Sequence, residues 1–440
     1  MNIYLVNVDF PPVSGPGIWR ILAFAKYAAL AGHRVTVFCS DRSSWHDRQD
    51  PNLLKELPEN VRVVRVSSYF LRDITGWITR RRQQAGSNFA QNLYKNLLWK
   101  VQRYWPDPIA HWTIKCALRA LRMARSEMPD CVFTTGPQHL SHVVGYTLQR
   151  NLNIPWIMDY RDPWTDIPDH SYVDVSGYQN RLAMRMEQKF LMNADLVTVV
   201  SPSWLDMLAQ KLGGHRDKFV LLRNGHDLEQ TDIPVQPEKN DFSGCRLHFN
   251  GTIQPGASVL TELFQALDSM FKLGLKPDAL RISFCGLPPS FVELLKESPL
   301  RDFYVDLGPL DHEKSIQQCL NANALMVTVR DQGVVQQGVI PGKTYEAMAL
   351  GKHVFGILPS KSDTRTLLEE YGNVTLTGGT SPADIATALQ QLIDKFRSGN
   401  NALPNCDVTH QKFIADRYAR AFQANELLAL MDHLVSARKD

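Results

Sequence analysis

A chain of 440 residues with 44% hydrophobic and 21% charged residues is long enough for two or three domains, each with a buried core. A net charge of +3 excludes nucleic-acid binding through bulk charge alone, and no run of about 18 apolar residues is present to span a membrane as a helix. The seven cysteines (39, 116, 131, 245, 285, 319 and 406) are scattered and odd in number, without C-x-x-C or metal-ligand spacing, which excludes a disulfide framework and fits a reducing cytoplasm.

The opening MNIYLVNVDFPP carries no positive charge before its apolar run, so it reads as a strand over 3–8 rather than a signal peptide. The strand runs into PPVSGPG at 11–17, a helical pattern over 18–31 and a second strand over 34–39. Strand, glycine loop, helix and strand in that order open a doubly wound parallel sheet, whose ligands bind at the carboxyl ends of the strands. Gly15 and Gly17 let backbone approach a ligand closely, or simply make a turn. G-x-G-x-x-G is absent and no acidic residue ends the second strand, which argues against a dinucleotide site and a dehydrogenase.

After a strand over 60–66, residues 72–125 hold eleven Lys/Arg against Asp73 and Asp107, a local net of +9 that leaves the rest of the chain at −6. Trp77, Trp99, Trp105 and Trp112 are interleaved with these cations. Basic segments with tryptophan fit an anionic membrane surface; a solvated basic face with tryptophans in the core is the alternative. No nucleic-acid motif accompanies the stretch. A strand over 131–134 leads to TTGPQHLSH, and one over 155–159 ends in DYRDPWTD. Three carboxylates, an arginine and a tryptophan at a strand end make His139, His142, Arg161 and Asp162 candidates for chemistry. A single histidine is more often structural, and Asp162 before a proline also suits a turn. A helix over 181–194, a strand over 196–200, a helix opened by Ser201-Pro202-Ser203 and a strand over 219–222 end in RNGHD at 223–227.

Residues 229–244 are polar and aperiodic and read as a linker. The strand–helix pattern then restarts, with strands over 246–250, 280–285, 305–307 and 324–329. Within GVIPGKTYEAMALGKHVF at 338–355, Pro341-Gly342 starts a short helix, Gly351 ends it and a strand follows. Lys343 and Glu346 are three apart and share one helix face. A helix N-terminus with a lysine suits a phosphate, and a carboxylate about 4–5 Å further along the axis suits the hydroxyls of a ribose. The same pair also fits an ordinary surface helix, but its place in a second parallel sheet favours the nucleotide reading. A strand over 374–376 and helices over 382–396 and 410–438 complete the chain.

The glycine loop at 3–17, SPSW at 201–204, RNGHD at 223–227, FNGT at 249–252 and PGKTYEAMALGKHVF at 341–355 together resemble the GT-B glycosyltransferases of family 4, over essentially the full length. DYRDPW at 159–164 is similar to the variant of bacterial envelope-polysaccharide members. The resemblance implies an α/β fold of two doubly wound Rossmann-like domains facing a central cleft. Residues 1–228, with the basic insert 72–125, would bind acceptor, and residues 245–408 a nucleotide sugar; a helix over 409–440 would cross back to the first domain. Glu346 would hold the ribose, Lys343 the diphosphate and the backbone at Leu307 to Pro309 the base, with Gly15, Gly17, Gly251 and Thr252 also at the donor. Many members carry paired glutamates eight apart, but here the earlier position is Gly338, and Thr252 stands where a basic residue is usual. Diphosphate neutralisation then falls on Lys343 with Arg330.

The expected activity is retaining transfer of a hexosyl-type sugar from a nucleotide sugar to a glycan or lipid-linked glycan in polysaccharide biosynthesis. No D-x-D occurs, so neither divalent metal nor cofactor is expected. Asp162 is expected to contact donor sugar or acceptor hydroxyl, with Arg161 and His139 beside it. The expected partners are donor, acceptor and an anionic membrane through 72–125, with no nucleic acid; the expected location is cytoplasmic, peripheral at the inner face of the cell membrane. The alternatives are a nucleotide-sugar epimerase on the same fold and a non-catalytic carbohydrate-binding scaffold at a membrane surface.

Overall fold

The structure, a computed structural model, describes residues 1–15, 17–41, 49–67, 109–166, 177–228, 242–251, 259–330, 333–397, 413 and 416–438. Most of the basic insert, most of the expected linker and Thr252 lie outside these residues. Met1–Arg223 with Gln423–Asp440 forms one compact unit, and Asn224–Phe422 a second.

The first unit is built on a seven-stranded sheet in the order β3-β2-β1-β4-β5-β6-β7, parallel throughout. Its elements are β1 (Asn2–Val6), α1 (Ile18–Leu30), β2 (Arg34–Ser40), β3 (Val61–Val66), α2 (Ala110–Ser126), β4 (Cys131–Gly136), α3 (His142–Leu152), β5 (Trp156–Tyr160), α4 (Tyr178–Asn193), β6 (Leu196–Val199), α5 (Pro202–Lys211) and β7 (Phe219–Leu221). The central strands are apolar at nearly every position because helices cover both faces of a parallel sheet. β1, NIYLV, is buried along its whole length. Strand order reverses between β1 and β4, which makes their carboxyl ends the switch point of this sheet.

The second unit carries a six-stranded parallel sheet in the order β10-β9-β8-β11-β12-β13. Its elements are β8 (Cys245–Phe249), α6 (Val259–Lys272), β9 (Leu280–Phe284), α7 (Pro289–Lys296), β10 (Tyr304–Asp306), α8 (His312–Asn321), β11 (Ala324–Thr328), α9 (Gly342–Ala349), β12 (His353–Ile357), α10 (Asp363–Tyr371), β13 (Val374–Leu376) and α11 (Pro382–Arg397). Its switch point lies between β8 and β11. The last helix, α12 (Arg420–Ala437), sends Ala424, Leu427, Leu428, Met431 and Val435 into the first unit's core beside Ile3, Leu5, Ile21 and Phe24.

Two elements differ from the sequence reading for identifiable reasons. Helix α10 went unread although its signals are present: Ser362 accepts from Arg365 N at 3.2 Å as N-cap, and Gly372 ends the helix at φ +80°. Its charged sequence, DTRTLLEEY, hides a buried stripe of Thr364, Leu367, Leu368 and Tyr371. Trp112 corrects the membrane reading at one position. It is completely buried, on the inner side of α2 with Cys116, Ala120 and Ala124, and is therefore a core residue.

Arg20, on α1, is buried against β5. Its guanidinium donates to both carboxylate oxygens of Asp159, at 3.1 and 2.8 Å, and to the carbonyls of Leu222 and Arg223 at 3.0 and 2.7 Å. Thr135 on β4 and Thr198 on β6 donate to the same carboxylate at 2.7 and 2.6 Å. Burial pushes the Asp159 carboxyl up, but Arg20 and the two threonines together hold it below its ordinary 3.8. A depressed folded-state value stabilises the fold above the unfolded carboxyl's pKa, and that stability is lost as pH falls through the folded value.

Breaking a buried pair by removing one partner typically costs about 3–5 kcal/mol. Arg20→Met should therefore lower the stability of the first unit by that order in denaturant melts. The Asp159→Asn, Arg20→Met double variant should lose less of its stability than the wild type between about pH 5 and pH 2. An Arg20→Met midpoint equal to wild type would remove the pair from its structural role.

Candidate functional site

The candidate site of the second unit is at the β8/β11 switch point. β8 ends at Phe249 and is followed by Asn250 and Gly251. Asn250 Oδ1 accepts from Ser315 Oγ of α8 at 2.6 Å and lies 3.9 Å from Cys285 Sγ, just past β9. His248 is fully buried behind them, with Nδ1 2.8 Å from Ser283 Oγ and Nε2 3.6 Å from Cys285 Sγ. Burial, opposed by the Ser283 bond and reinforced by the Lys343 charge, brings the His248 pKa down to about 4, so the ring is neutral at physiological pH.

Lys343 belongs to the first turn of α9, two residues after the N-cap Pro341. A helix dipole disfavours a cation there, because the first N–H groups already carry partial positive charge. Glu346, one turn on, relieves the conflict: its Oε2 is 2.8 Å from Lys343 Nζ. The pair is partly open, the lysine side chain 43% exposed and the glutamate 20%. Burial raises the Cys285 thiol, while the Lys343 charge and a bond to Ser315 oppose it. The charge of Lys343 is thus felt at both His248 and Cys285.

Two loops close one side. Asp306 Oδ1 accepts from Leu287 N at 3.2 Å and Gly308 N at 3.1 Å, which ties the loop after β9 to the loop after β10. Gly286 and Gly308 both have positive φ, +108° and +66°, and a side chain on Gly286 would come within 3.9 Å of the Gly308 backbone. Leu307 is half-buried in this turn, and Arg330 half-buried just past β11. Gly251, Leu307, Arg330, Lys343 and Glu346 therefore all belong to the carboxyl edge of one sheet. The sequence reading missed Asn250, Cys285, Ser315, His248 and Asp306. Asn250 had a signal, as the polar residue closing an apolar strand; Ser315 had none, since it reaches the pocket from a helix 65 residues away.

In the first unit the expected residues gather at the ends of β1, β4 and β5. Arg161 is buried, and its Nε donates to Gly136 O at 2.7 Å and its Nη1 to Gly17 O. A side chain on Gly17 would meet that guanidinium at 2.7 Å, so Gly17 makes room for Arg161; Gly15 faces open space. His139 is buried in a ring stack, with Trp164 at 5.3 Å and Tyr160 at 4.9 Å, and its imidazole lies where any side chain on Gly136 would be. His142 is fully buried, with Nδ1 2.7 Å from Thr134 Oγ1. Burial, opposed by Asp159 and reinforced by Arg161, brings its pKa down to about 3. Asp159 serves Arg20, so of the carboxylates in DYRDPWTD it is a structural one. Asp166 is 2.6 Å from Lys211 Nζ, and half-buried Asp162 lies within electrostatic reach of the Arg161 guanidinium. Gln138, with a left-handed φ of +59°, donates from Nε2 to Asp9 Oδ2 at 3.2 Å across the switch point, and sequence reasoning did not find it.

Among the described residues no group of three or more His, Cys, Asp or Glu is arranged to hold a metal ion. No helix among them is long and apolar enough to cross a membrane. No curated protein sequence matches the chain. A glycosyltransferase from Rickettsia africae aligns over 99% of both chains with a TM-score of 0.66 at 12% identity. The catalytic domain of starch synthase IV from Arabidopsis thaliana, bound to ADP and acarbose, aligns over 99% of both chains with a TM-score of 0.60 at 11% identity. A putative UDP-N-acetylglucosamine 2-epimerase from Listeria monocytogenes aligns over 97% of this chain and 95% of its own, with a TM-score of 0.52 at 13% identity. Residues 17–225 match the family described as Glycosyl transferase 4-like domain. The match to a glycosyl transferase 4-like domain thus lies almost wholly within the first unit, and the chain as a whole has a GT-B fold.

Proposed function

We propose that the chain is a retaining, metal-independent hexosyltransferase that moves a sugar from a nucleotide-sugar donor to a glycan or lipid-linked glycan during polysaccharide biosynthesis. The observation that carries this reading is the Lys343–Glu346 pair, 2.8 Å apart on the first turn of α9 at the β8/β11 switch point. A nucleoside diphosphate offers an anion for Lys343 and a ribose diol for Glu346. Each ion would exchange its partner for a ligand group, so neither charge is left uncompensated. The turn at Leu307 and Gly308, held by Asp306, offers backbone to the base, and Gly251 and Arg330 are assigned to the phosphate side, as is Thr252 on the sequence resemblance alone.

Transfer breaks the bond from the anomeric carbon to the diphosphate oxygen and forms one to an acceptor hydroxyl oxygen. The electron pair goes to the diphosphate, and the acceptor proton passes to a phosphate oxygen. Preorganised positive charge stabilises the departing group, and Lys343, Arg330 and the free N–H groups of α9 supply it. The first unit is assigned the acceptor. Asp162 takes an acceptor or sugar hydroxyl, Arg161 positions its loop through the Gly136 and Gly17 carbonyls, and His139 forms the wall with Trp164. Gly15 and Gly17 stay with the donor phosphates in this assignment, although Gly17 also accommodates Arg161. A nucleotide-sugar donor fits a cytoplasmic location, and the net +9 of residues 72–125 fits a peripheral position at the inner face of the cell membrane.

A nucleoside diphosphate at about 100 times its Kd should stabilise the protein by about 2.7 kcal/mol, visible in a thermal-shift panel of nucleotides. Lys343→Ala and Glu346→Ala should each abolish that shift and lower transfer by at least about a hundredfold. Their unliganded melting should stay near wild type, because a part-exposed pair contributes only about 0–1 kcal/mol. Wild-type turnover in both variants would sink the donor assignment.

The fold shared with an epimerase sustains a second reading, and the two make different products. Labelled nucleotide sugar incubated without acceptor should come back unchanged from a transferase. Accumulation of the epimer under those conditions would establish the epimerase instead. Binding of no nucleoside diphosphate at all would favour a non-catalytic scaffold.

A further inference from the structure

The first sheet bears three helices side by side on one face, with α2 packed on α3 and α3 on α4. We propose that the outer surface of these three helices is a docking face for an anionic phospholipid bilayer.

The charge on this face has one sign. Arg119, Arg122 and Arg125 are exposed on α2, Arg150 on α3, and Arg181, Arg185 and Lys189 on α4. No carboxylate pairs with any of them among the described residues. The single acid in the three helices, Glu187, is 1% exposed and points inward, where it accepts from Tyr160 Oη at 2.8 Å and lies 2.7 Å from Lys211 Nζ. Among the helices of the other face, by contrast, α12 exposes Glu426 and Asp432. The cations of this face are therefore a directed feature and not a share of a mixed surface.

Large apolar side chains are exposed among these cations. On α2, Ile114, Leu118, Arg122 and Arg125 follow one another at helical spacing along one outer stripe, and the first two are 44% and 55% exposed. On α4, Tyr178, Met184 and Met192 are also more than half exposed, beside Arg181 and Arg185. Lys189 Nζ lies 4.9 Å above the ring of Tyr146 on α3, so its stem covers the seam between two of the helices. Past the end of α4, a hollow of about 590 Å3 is walled by Met192, Lys211, His215 and Lys218 together with the exposed Asp217, and the one-signed surface ends there. Single exposed hydrophobes are ordinary, but a band of them interleaved with like-signed cations is not.

The mixture decides the occupant. A polynucleotide would use the cations but gains nothing from Ile114, Leu118, Met184 and Met192. A bilayer uses both, since aliphatic side chains enter the headgroup boundary while arginines meet lipid phosphates. This face differs from the one inferred from the sequence, because Trp112 is in the core and because α3 and α4 lie beyond residue 125. The inference rests on the peripheral membrane position of the proposed function and names the surface that would hold it, and its observations stand wholly in the first unit.

The test is sedimentation of the full chain with phosphatidylcholine vesicles, with or without phosphatidylglycerol, followed by hydrogen exchange on the bound protein. Binding should require the anionic lipid and fade at high salt. Arg119→Glu, Arg122→Glu, Arg181→Glu and Arg185→Glu together should lower the partition by on the order of a hundredfold or more. Glu426→Lys with Asp432→Lys on the opposite face should not lower it. In the wild type, amides of 114–125 and 178–192 should gain protection on vesicles, an outcome that does not depend on any variant folding. Equal binding to neutral vesicles, undiminished binding by the quadruple variant, protection confined to other segments, or binding of homopolymer RNA without vesicle binding would each overturn the proposal. None of these outcomes bears on the nucleotide thermal shift, which reports on the second unit.

Discussion

The carboxyl edge of the first sheet depends on one buried ion pair. Asp159 carries a full charge into a fully enclosed position on β5, which is tolerable only because every lone pair is met. Arg20 from α1, Thr135 from β4 and Thr198 from β6 all converge on it. Arg20 then spends its remaining donors on Leu222 and Arg223, past the end of β7. One carboxylate thereby fixes α1 and three neighbouring strands against the segment that leaves the sheet. A fully connected polar network of this kind specifies register, since a slip of one residue would strand a charge in the core.

The residues beside the pair inherit its order. Arg161 follows Asp159 by two positions and turns its guanidinium onto the Gly136 and Gly17 carbonyls, so the loop before α1 and the loop after β4 are clamped together. His139 and His142 fill the space beneath as rings in an aromatic cluster with Tyr160, Trp156 and Trp164. A histidine whose pKa burial has brought to about 3 does not exchange protons near neutrality, so His142 is packing. Asp162, half-buried, stands on the loop held by these contacts.

Most of the architecture was legible because a parallel sheet covered on both faces writes itself as apolar runs, IYLV, VTVF, CVFT and LMVT among them. The Lys343–Glu346 spacing was legible because a helix converts sequence distance three into neighbourhood. Contacts made by folding rather than by periodicity were not. Arg20 stands in IWRILAF, where its neighbours give no sign that a carboxylate 139 residues away will neutralise it. Ser315 reaches Asn250 from a different helix, and α10 was concealed because its four buried residues are interrupted by charges. Trp112 was ambiguous for a related reason. Tryptophan among arginines describes both a membrane face and an amphipathic helix seen from its core side, and only the direction of the side chain separates them.

Two of the molecule's ion pairs show what distinguishes a structural pair from one that can serve a ligand. Arg20 and Asp159 have no solvent to turn to, so losing either partner exposes the other to the full cost of an unpaired buried charge. Lys343 and Glu346 are partly wet and three residues apart on a single helix, and their mutual attraction is worth about 0–1 kcal/mol. Lys343 is moreover at the end of the helix where the dipole opposes it, so the pair relieves a conflict without removing its source. An anion arriving at that helix end interacts favourably with the dipole and the lysine together, and charge-assisted bonds to it are stronger than the contact they replace. Glu346 is then released to accept from hydroxyls one turn away. The weakness of the pair is thus the property that suits it to a site, because a ligand can exchange partners there without uncovering a buried charge.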